Sequence, residues 1–257
     1  MKSMSLPADW DKPSPENKAI CDKFLYGTLE YSGTLPYRLF VPECSEDVPL
    51  VVFLHGADAY GNDNEMQITM HDIGTAFASD KWQKVHPCYV LAPQCSKGRH
   101  WAGLLDGNRV CELVKKLMDL YENIDPKRVY IYGYSAGGVG CLEVIKYHAE
   151  MFAGAISICG ATGWRDLDAL IKTPIWLIHA ADDLIVKASY RTGNGESTHL
   201  GSRDIYEELK DIHPDLHYTE YKEGDMKEVY GINPHCSWVP AGRDGRVKEW
   251  LFSLKQI

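Results

Sequence analysis

Short apolar runs separated by longer amphipathic stretches constrain this chain more than any other feature. The runs VVFL, VYIYG and IWLI are nearly continuous apolar segments, as expected for strands that are buried on both faces. Helical spacing of apolar residues fills the stretches between such runs. In one stretch the predicted apolar face comprises Val110, Leu113, Val114, Leu117 and Leu120. The alternation predicts an α/β fold, with a mainly parallel sheet and helices on both faces.

Eight segments have the length and the β-branched or aromatic composition of strands. The predicted strands are Phe24–Tyr31, Leu35–Val41, Leu50–Leu54, Cys88–Ala92, Val129–Gly133, Gly154–Ile158, Ile175–His179 and Leu216–Tyr221. The first two alternate in polarity and are joined around Ser32 and Gly33, which predicts an antiparallel hairpin at one edge of the sheet. The predicted helices are Asn108–Tyr121, Ala136–His148, Ser202–Ile212 and Arg246–Leu254.

The length of 257 residues fits one α/β domain. No repeat, low-complexity tract or break in composition divides the chain, so we predict a single domain over residues 1–257, with residues 1–23 as an N-terminal arm. The segment between residues 158 and 175 is too short for a large cap domain. Irregular stretches follow several predicted strands, where the loops of an open α/β sheet form the ligand crevice. These stretches are 56–69, 187–201 and 223–240.

Charge and cysteine content limit the partners and the location of the protein. The formal net charge of −9 disfavours nucleic acid or an anionic membrane surface as a partner and fits a small neutral or weakly charged substrate. No apolar stretch approaches the roughly 18 residues that span a bilayer, and no signal-peptide pattern is present, so we expect a cytoplasmic protein. The 8 cysteines form no CxxC pair and are predicted to be buried thiols, with disulfides as the alternative if a signal peptide has been removed.

The stretch GYSAGG places Ser135 between glycines where a predicted strand meets a predicted helix. In a nucleophile elbow, a strained turn of this kind pushes the serine hydroxyl out of the sheet. Gly133 and Gly137 would then avoid a clash with neighbouring backbone, while Gly138 and Gly140 would let the helix lie close to the strands. The alternative is a glycine-rich turn in which Ser135 is an ordinary N-cap.

A serine nucleophile needs a base, and the base needs an orienting acid. In an α/β-hydrolase both follow the serine along the chain, the acid first. The buried run PIWLIHA is followed by Asp182 and Asp183, either of which could be the acid. Among the later histidines, only His235 lies in the long loop between the last predicted strand and the last helix; His199 is the rival base. The others are predicted to be structural or surface residues: His148, His179, His213 and His217.

The developing oxyanion needs backbone N–H donors that are already in place. The elbow supplies the N–H of Ala136, and the loop after LVVFLHG is predicted to supply that of Ala57. His55 is interpreted as a hydrogen-bonding support for this loop rather than as a base.

Five segments, in order, resemble one family of bacterial esterases. FLHGADAYGNDN, VLAPQCSKGRHW, GYSAGG, HAADDLIV and NPHCSWVPA are similar to motifs of the phospholipase/carboxylesterase-like or predicted-peptidase family, which is related to feruloyl esterases and dienelactone hydrolases. The resemblance implies an α/β-hydrolase fold, selects Asp183 because the family acid lies four residues after a histidine, and supports His235 as the base. The chain departs from the family at Asp58 and Ala180, where the family usually has glycine.

Two tryptophans fall on predicted strand-end loops and are candidate substrate contacts. Trp101 and Trp238 could each contact an acyl or sugar group or could pack inside the protein. No HExxH, paired CxxC or phosphate-binding glycine motif is present, so we predict neither a metal nor another cofactor.

The sequence therefore predicts a serine carboxylic-ester hydrolase that works through Ser135, His235, Asp183 and an acyl-enzyme. Short-chain acyl esters and acetylated or feruloylated plant saccharides are the expected substrates. The alternatives are a serine peptidase on the same fold and a non-catalytic binding protein with a hydrolase fold. Residues 187–201 have two open interpretations, a loop folded over the site and a plain surface loop.

Overall fold

A computed structural model describes residues 15–191 and 197–256. Eight of its strands form one sheet, and two short strands form a separate ribbon. The strands are β1 Leu25–Glu30, β2 Thr34–Phe40, β3 Val48–Leu54, β4 Tyr89–Pro93, β5 Ile124–Tyr134, β6 Gly154–Ile158, β7 Ala161–Gly163, β8 Ile175–Ala180, β9 His199–Gly201 and β10 Leu216–Tyr221.

Helices connect the strands and cover the sheet. The α-helices are α1 Pro15–Cys21, α2 Met66–Thr69, α3 Asp80–Gln83, α4 Leu104–Leu120, α5 Ala136–Tyr147, α6 Ser202–Leu209, α7 Asp225–Glu228, α8 Trp238–Arg243 and α9 Gly245–Ser253. Single 3-10 turns lie at Ala57–Ala59, Asp72–Thr75, Ala149–Met151, Leu167–Lys172 and Pro234–Cys236. No helix in the described ranges is both long and apolar enough to span a bilayer.

The sheet order is β1-β2-β4-β3-β5-β6-β8-β10. β1 pairs with β2, and β2 with β4, in antiparallel fashion. The remaining neighbours in this order, from β4 through β3, β5, β6 and β8 to β10, are all parallel. The mainly parallel eight-stranded sheet and the antiparallel edge hairpin predicted from the sequence are therefore confirmed.

The core lies on both faces of the sheet, and alternate residues of β3 show why. Leu50, Val52 and Leu54 pack on the face covered by α4 and α5. Val51 and Phe53 point to the other face, among aromatic residues of β5 and residues of α9. All seven residues of β3 are buried, as the continuous apolar run requires.

Three details differ from the sequence prediction. β7 and β9 pair with each other, from Ala161 opposite Gly201 to Gly163 opposite His199, and were not predicted. β9 is formed by the last three residues of the predicted loop 187–201. Residues 192–196 of that loop lie outside the described part. Leu120, predicted on the apolar face of α4, is 68% exposed because it is the last residue of the helix, so that face ends one turn earlier, at Leu117.

The N-terminal arm and the cysteines can be placed in part. Residues 1–14 lie outside the described part, and residues 15–21 of the predicted arm form α1, whose Cys21 is buried. All 8 cysteines are free thiols, and only Cys44 among them is not buried.

Candidate active site

Ser135 lies at the junction of β5 and α5 in a backbone conformation that side chains rarely adopt. Its φ is 53° and its ψ is −120°. Such a conformation costs energy and persists only where the surroundings fix it. Here the backbone N–H of Ser135 donates to the carbonyl of Ile158, at 2.9 Å, at the end of the neighbouring strand β6.

Glycines provide the room for this turn. A Cβ on Gly133 would lie 2.5 Å from the carbonyl oxygen of Leu54, and one on Gly137 would lie 1.9 Å from the same oxygen. Gly138 would meet the carbonyl oxygen of Ile158 at 2.5 Å, and Gly140 the Cβ of Trp101 at 2.4 Å. The close contact of α5 with the strands, predicted from these glycines, is therefore confirmed.

Three side chains that are far apart in the sequence meet at this turn. His235 Nε2 lies 2.9 Å from Ser135 Oγ, and His235 Nδ1 lies 2.7 Å from Asp183 Oδ2. His199, the rival base, instead lies on β9, is exposed and contacts Thr198. The structure thus brings His235, and not His199, against the serine.

Asp183 follows β8 and is surrounded by hydrogen-bond donors. Its Oδ1 accepts from the backbone N–H groups of Ile185, at 2.8 Å, and Val186, at 3.2 Å. Burial alone would raise the pKa of this carboxyl, but hydrogen bonds from His179 and His235 outweigh burial and lower the pKa to about 2. Asp183 is therefore a carboxylate near neutral pH.

The adjacent Asp182 turns away from this cluster. Its Oδ2 accepts from the backbone N–H of Gly224, at 3.1 Å, in the segment after β10. The sequence left the choice between the two aspartates to the family resemblance, and in the structure Asp183 is the one that contacts His235.

His179 is a contributor that sequence reasoning did not assign to the site. Its ring is fully buried, and its Nε2 lies 2.8 Å from the carbonyl oxygen of Val186 and 3.3 Å from Asp183 Oδ2. Both neighbours are acceptors, so Nε2 carries a proton. Its Nδ1 contacts Ser202 Oγ at 2.8 Å. The available signal was the spacing of four residues between this histidine and Asp183.

Backbone and packing contacts hold His235 in place. The side chain of Asn233 accepts from the N–H of His235, at 2.9 Å, and starts the 3-10 turn Pro234–Cys236. The ring of Trp238 lies edge-on to the imidazole, with 5.4 Å between ring centroids.

The two predicted oxyanion donors lie at the starts of helical segments. Ala136 is the first residue of α5, and Ala57 is the first residue of the turn Ala57–Ala59. The first N–H groups of a helix have no acceptor within that helix. Ala57 is exposed and Ala136 is partly exposed.

His55 supports the Ala57 loop, as predicted. Its Nδ1 donates to the carbonyl of Gly56, at 2.6 Å, and its Nε2 accepts from the N–H of Cys95, at 3.0 Å. Burial lowers the pKa of His55 to about 4. A neutral imidazole therefore joins the loops after β3 and β4.

The two tryptophans proposed as substrate contacts are instead packed inside. Trp101 is 1% exposed, because Gly140 has no side chain and α5 can lie directly against it. Its Nε1 donates to the carbonyl of His55. Trp238 is 5% exposed and packs against Tyr134, at 4.5 Å between centroids. Both rings are therefore buried, as the packing interpretation expects.

One group of metal-type ligands occurs within the described ranges. Suitable atoms of Cys159, Asp183 and His235 lie within 4.8 Å of one another. Burial raises the pKa of the Cys159 thiol well above its ordinary value, which disfavours the thiolate that a metal would need. Its Sγ instead accepts from the N–H of Ser135, at 3.3 Å.

Comparison with known proteins shows which proteins this chain resembles. A thermostable esterase of known structure is 36% identical, superposes with a TM-score of 0.84 and is matched over 93% of this chain and 64% of its own. Poly(3-hydroxyalkanoate) depolymerase C of Paucimonas lemoignei is 27% identical in an alignment of 164 residues that covers 55% of this chain and 36% of the depolymerase.

Peptidases share the fold at lower identity. A family model described as the prolyl oligopeptidase family matches residues 106–191. An acylaminoacyl peptidase of Pyrococcus horikoshii superposes with a TM-score of 0.60 at 17% identity, over 88% of this chain and 42% of the peptidase. With the parallel sheet and the turn at Ser135, these matches show that the chain has an α/β-hydrolase fold like that of the esterase. The chain spans less than two thirds of each of these relatives.

Proposed function

We propose that this chain hydrolyses carboxylic esters through Ser135, His235 and Asp183. The observation that carries the proposal is the hydrogen-bonded series from Ser135 Oγ through the His235 ring to Asp183, at 2.9 and 2.7 Å. Distances of this size lie within the reach needed for proton transfer.

The hydrogen bonds between Ser135, His235 and Asp183 support one chemical role for each of the three side chains. The Asp183 carboxylate accepts a hydrogen bond from the Nδ1–H group of His235, which leaves the lone pair of His235 Nε2 facing the serine hydroxyl. His235 can therefore take the hydroxyl proton as Ser135 Oγ attacks the ester carbonyl, and can give it to the leaving alcohol. Water then repeats the cycle on the acyl-enzyme. The N–H groups of Ala57 and Ala136 receive the oxyanion in both steps.

We propose short-chain acyl esters and acetylated or feruloylated saccharides as substrates. The net charge of −9 disfavours anionic substrates. The two residues after Asp183, Leu184 and Ile185, are 83% and 65% exposed and give the acid loop an apolar surface that suits an acyl or aryl group. A panel of p-nitrophenyl esters of increasing acyl length, with acetyl-xylan and methyl ferulate, tests this preference.

A peptidase on the same fold is the second candidate, because the prolyl oligopeptidase family model matches residues 106–191. The same three side chains could attack an amide. Parallel assays with p-nitrophenyl acetate and a chromogenic dipeptide separate the two activities, and faster cleavage of the dipeptide would favour the peptidase.

The Ser135→Ala variant tests the mechanism. We expect kcat on p-nitrophenyl acetate to fall by about 10⁶ and labelling by a fluorophosphonate to disappear, because no nucleophile remains. Ser253→Ala is the matched control, since Ser253 is exposed on α9 and its hydroxyl donates to the carbonyl of Trp250. Ser135→Ala with near-normal turnover would refute the mechanism. A wild-type protein that takes up no label would favour the non-catalytic alternative.

A further inference from the structure

We propose that Asp58 is a positioning residue. Its hydrogen bond with Tyr134 fixes the distance between the N–H groups of Ala57 and Ala136, the two proposed oxyanion donors. The inference rests on the proposed ester hydrolysis. Asp58 is one of the two positions, with Ala180, at which the family that this chain resembles usually has glycine.

One carboxylate connects the two segments that carry the proposed donors. Asp58 directly follows Ala57, and its Oδ1 accepts from the hydroxyl of Tyr134, at 2.8 Å. Tyr134 is the last residue of β5 and lies two residues before Ala136. Across 76 residues of sequence, this hydrogen bond therefore joins the loop after β3 to the turn that holds Ser135.

The chemistry of the pair makes the contact strong. Burial raises the pKa of the Tyr134 hydroxyl well above its ordinary value, so the hydroxyl keeps its proton and donates. Burial also raises the pKa of Asp58, but hydrogen bonds from His71 and Tyr134 outweigh it and hold that pKa below its usual range. Hydrogen bonds to a carboxylate are shorter and stronger than those between neutral groups.

The second carboxylate oxygen extends the same network. Asp58 Oδ2 lies 2.7 Å from His71 Nε2. The His71 ring packs 5.3 Å from Trp238, whose own ring lies 5.4 Å from that of His235. Asp58 thus belongs to a packed group that also borders the proposed base.

The space around the bridge is filled. A Cβ on Gly56 would lie 2.4 Å from Cε2 of Tyr134 and 2.8 Å from Asp58 Oδ1. The loop before Ala57 is therefore packed directly on the tyrosine, and both oxygens of the Asp58 carboxylate already have partners, Oδ1 in Tyr134 and Oδ2 in His71. Asp58 acts on the reaction only through the placement of the backbone.

This role predicts a specific kinetic signature. The oxyanion forms only in the transition state, so a displaced donor lowers kcat and leaves ground-state binding nearly unchanged. We expect Asp58→Ala and Tyr134→Phe each to lower kcat on p-nitrophenyl acetate by about 10²-fold, with KM within about twofold. Because both changes remove the same hydrogen bond, the double variant should lose no more than either single variant. Asp58→Asn keeps an acceptor for Tyr134 and should retain most of the activity.

Tyr130→Phe is the matched control. It removes a buried tyrosine hydroxyl from the same strand, where the hydroxyl donates to the carbonyl of Leu254, at 2.7 Å, away from the serine. We expect it to lower the melting temperature about as much as Tyr134→Phe and to leave kcat unchanged. Melting temperatures of all variants show which of them are folded.

Three outcomes would overturn the inference: a folded Asp58→Ala or Tyr134→Phe with wild-type kcat, losses that appear only in KM, or additive losses in the double variant. If Asp58→Ala does not fold, Tyr134→Phe and Asp58→Asn decide the matter alone. An active Ser135→Ala would refute the proposed function and this inference together. An inactive Ser135→Ala beside a fully active Asp58→Ala would refute only the positioning role.

Discussion

Asp182 and Asp183 are neighbours in the chain but have different surroundings in the structure. Asp183 accepts from two backbone N–H groups and contacts two histidines, whereas Asp182 accepts from the N–H of Gly224. In the proposed mechanism the orienting task therefore falls to Asp183 alone.

Replacing that carboxylate tests the assignment at the scale of one residue. We expect Asp183→Asn to lower kcat by about 10⁴, because an amide can hold the imidazole in the wrong tautomer and does not stabilise the imidazolium. Asp182→Asn is the matched control and should change kcat little. Steady-state kinetics on p-nitrophenyl acetate measure both, and equal losses in the two variants would contradict the assignment.

Single residues were predictable where a motif fixed their backbone. Ser135 and His235 could be found because strand ends and chain order define their places. The direction of the Trp101 ring could not be read from its loop, because α5 closes over it where Gly140 lacks a side chain. The contact of Asp58 could not be predicted, because its partner Tyr134 comes from another element, whereas the contact of His179 was signalled only by its spacing of four residues from Asp183.

At the scale of elements, the contact between α5 and β3 decides whether the turn can form. The helix lies so close that a methyl group on Gly137 would reach the backbone of Leu54 and, at 2.7 Å, that of His55. Neither backbone can move without disturbing the centre of the sheet.

We therefore expect Gly137→Ala to lower the free energy of unfolding by about 3 kcal/mol or more. Gly245→Ala at the start of α9 is the matched control, because a Cβ there meets nothing within 4 Å and alanine favours helix. Urea denaturation of both variants gives the comparison. A Gly137→Ala variant as stable as the control would show that the helix can shift.

Elements with a long pattern were predictable and short ones were not. Each of the eight predicted strands corresponds to a strand of the sheet, since four or more apolar or alternating residues mark it. β7 and β9 have three residues each, too few for any period, and exist only because they pair with each other.

At the scale of the molecule, the neutral His55 couples stability to pH. Its pKa falls from 6.5 to about 4 on folding, so the unfolded chain binds a proton that the folded chain does not between these values. The stabilisation is complete above about pH 6.5 and is lost as pH falls toward 4. This shift in the pKa of His55 corresponds to a change of about 3 kcal/mol in the free energy of unfolding.

The His55→Gln variant tests this coupling. The glutamine can still accept from the N–H of Cys95 but takes up no proton. We expect its free energy of unfolding to fall less steeply than that of the wild type between pH 6.5 and 4, as measured by urea denaturation at several pH values. Parallel curves for the two proteins would show that His55 does not carry the effect.

The sheet order has a consequence for how the protein opens. β5, which leads into Ser135, is bonded on both sides, by β3 and β6, whereas β10, which precedes the segment that carries His235, is an edge strand with β8 as its one neighbour. The amide N–H groups of β5 alternate between the ladder to β3 and the ladder to β6, so exchange along the whole strand requires the sheet to separate on both sides. Fluctuations that release β10 need break only one ladder. Under the proposed mechanism, activity would therefore be lost when that edge frays, while Ser135 still lies at the end of an intact central strand.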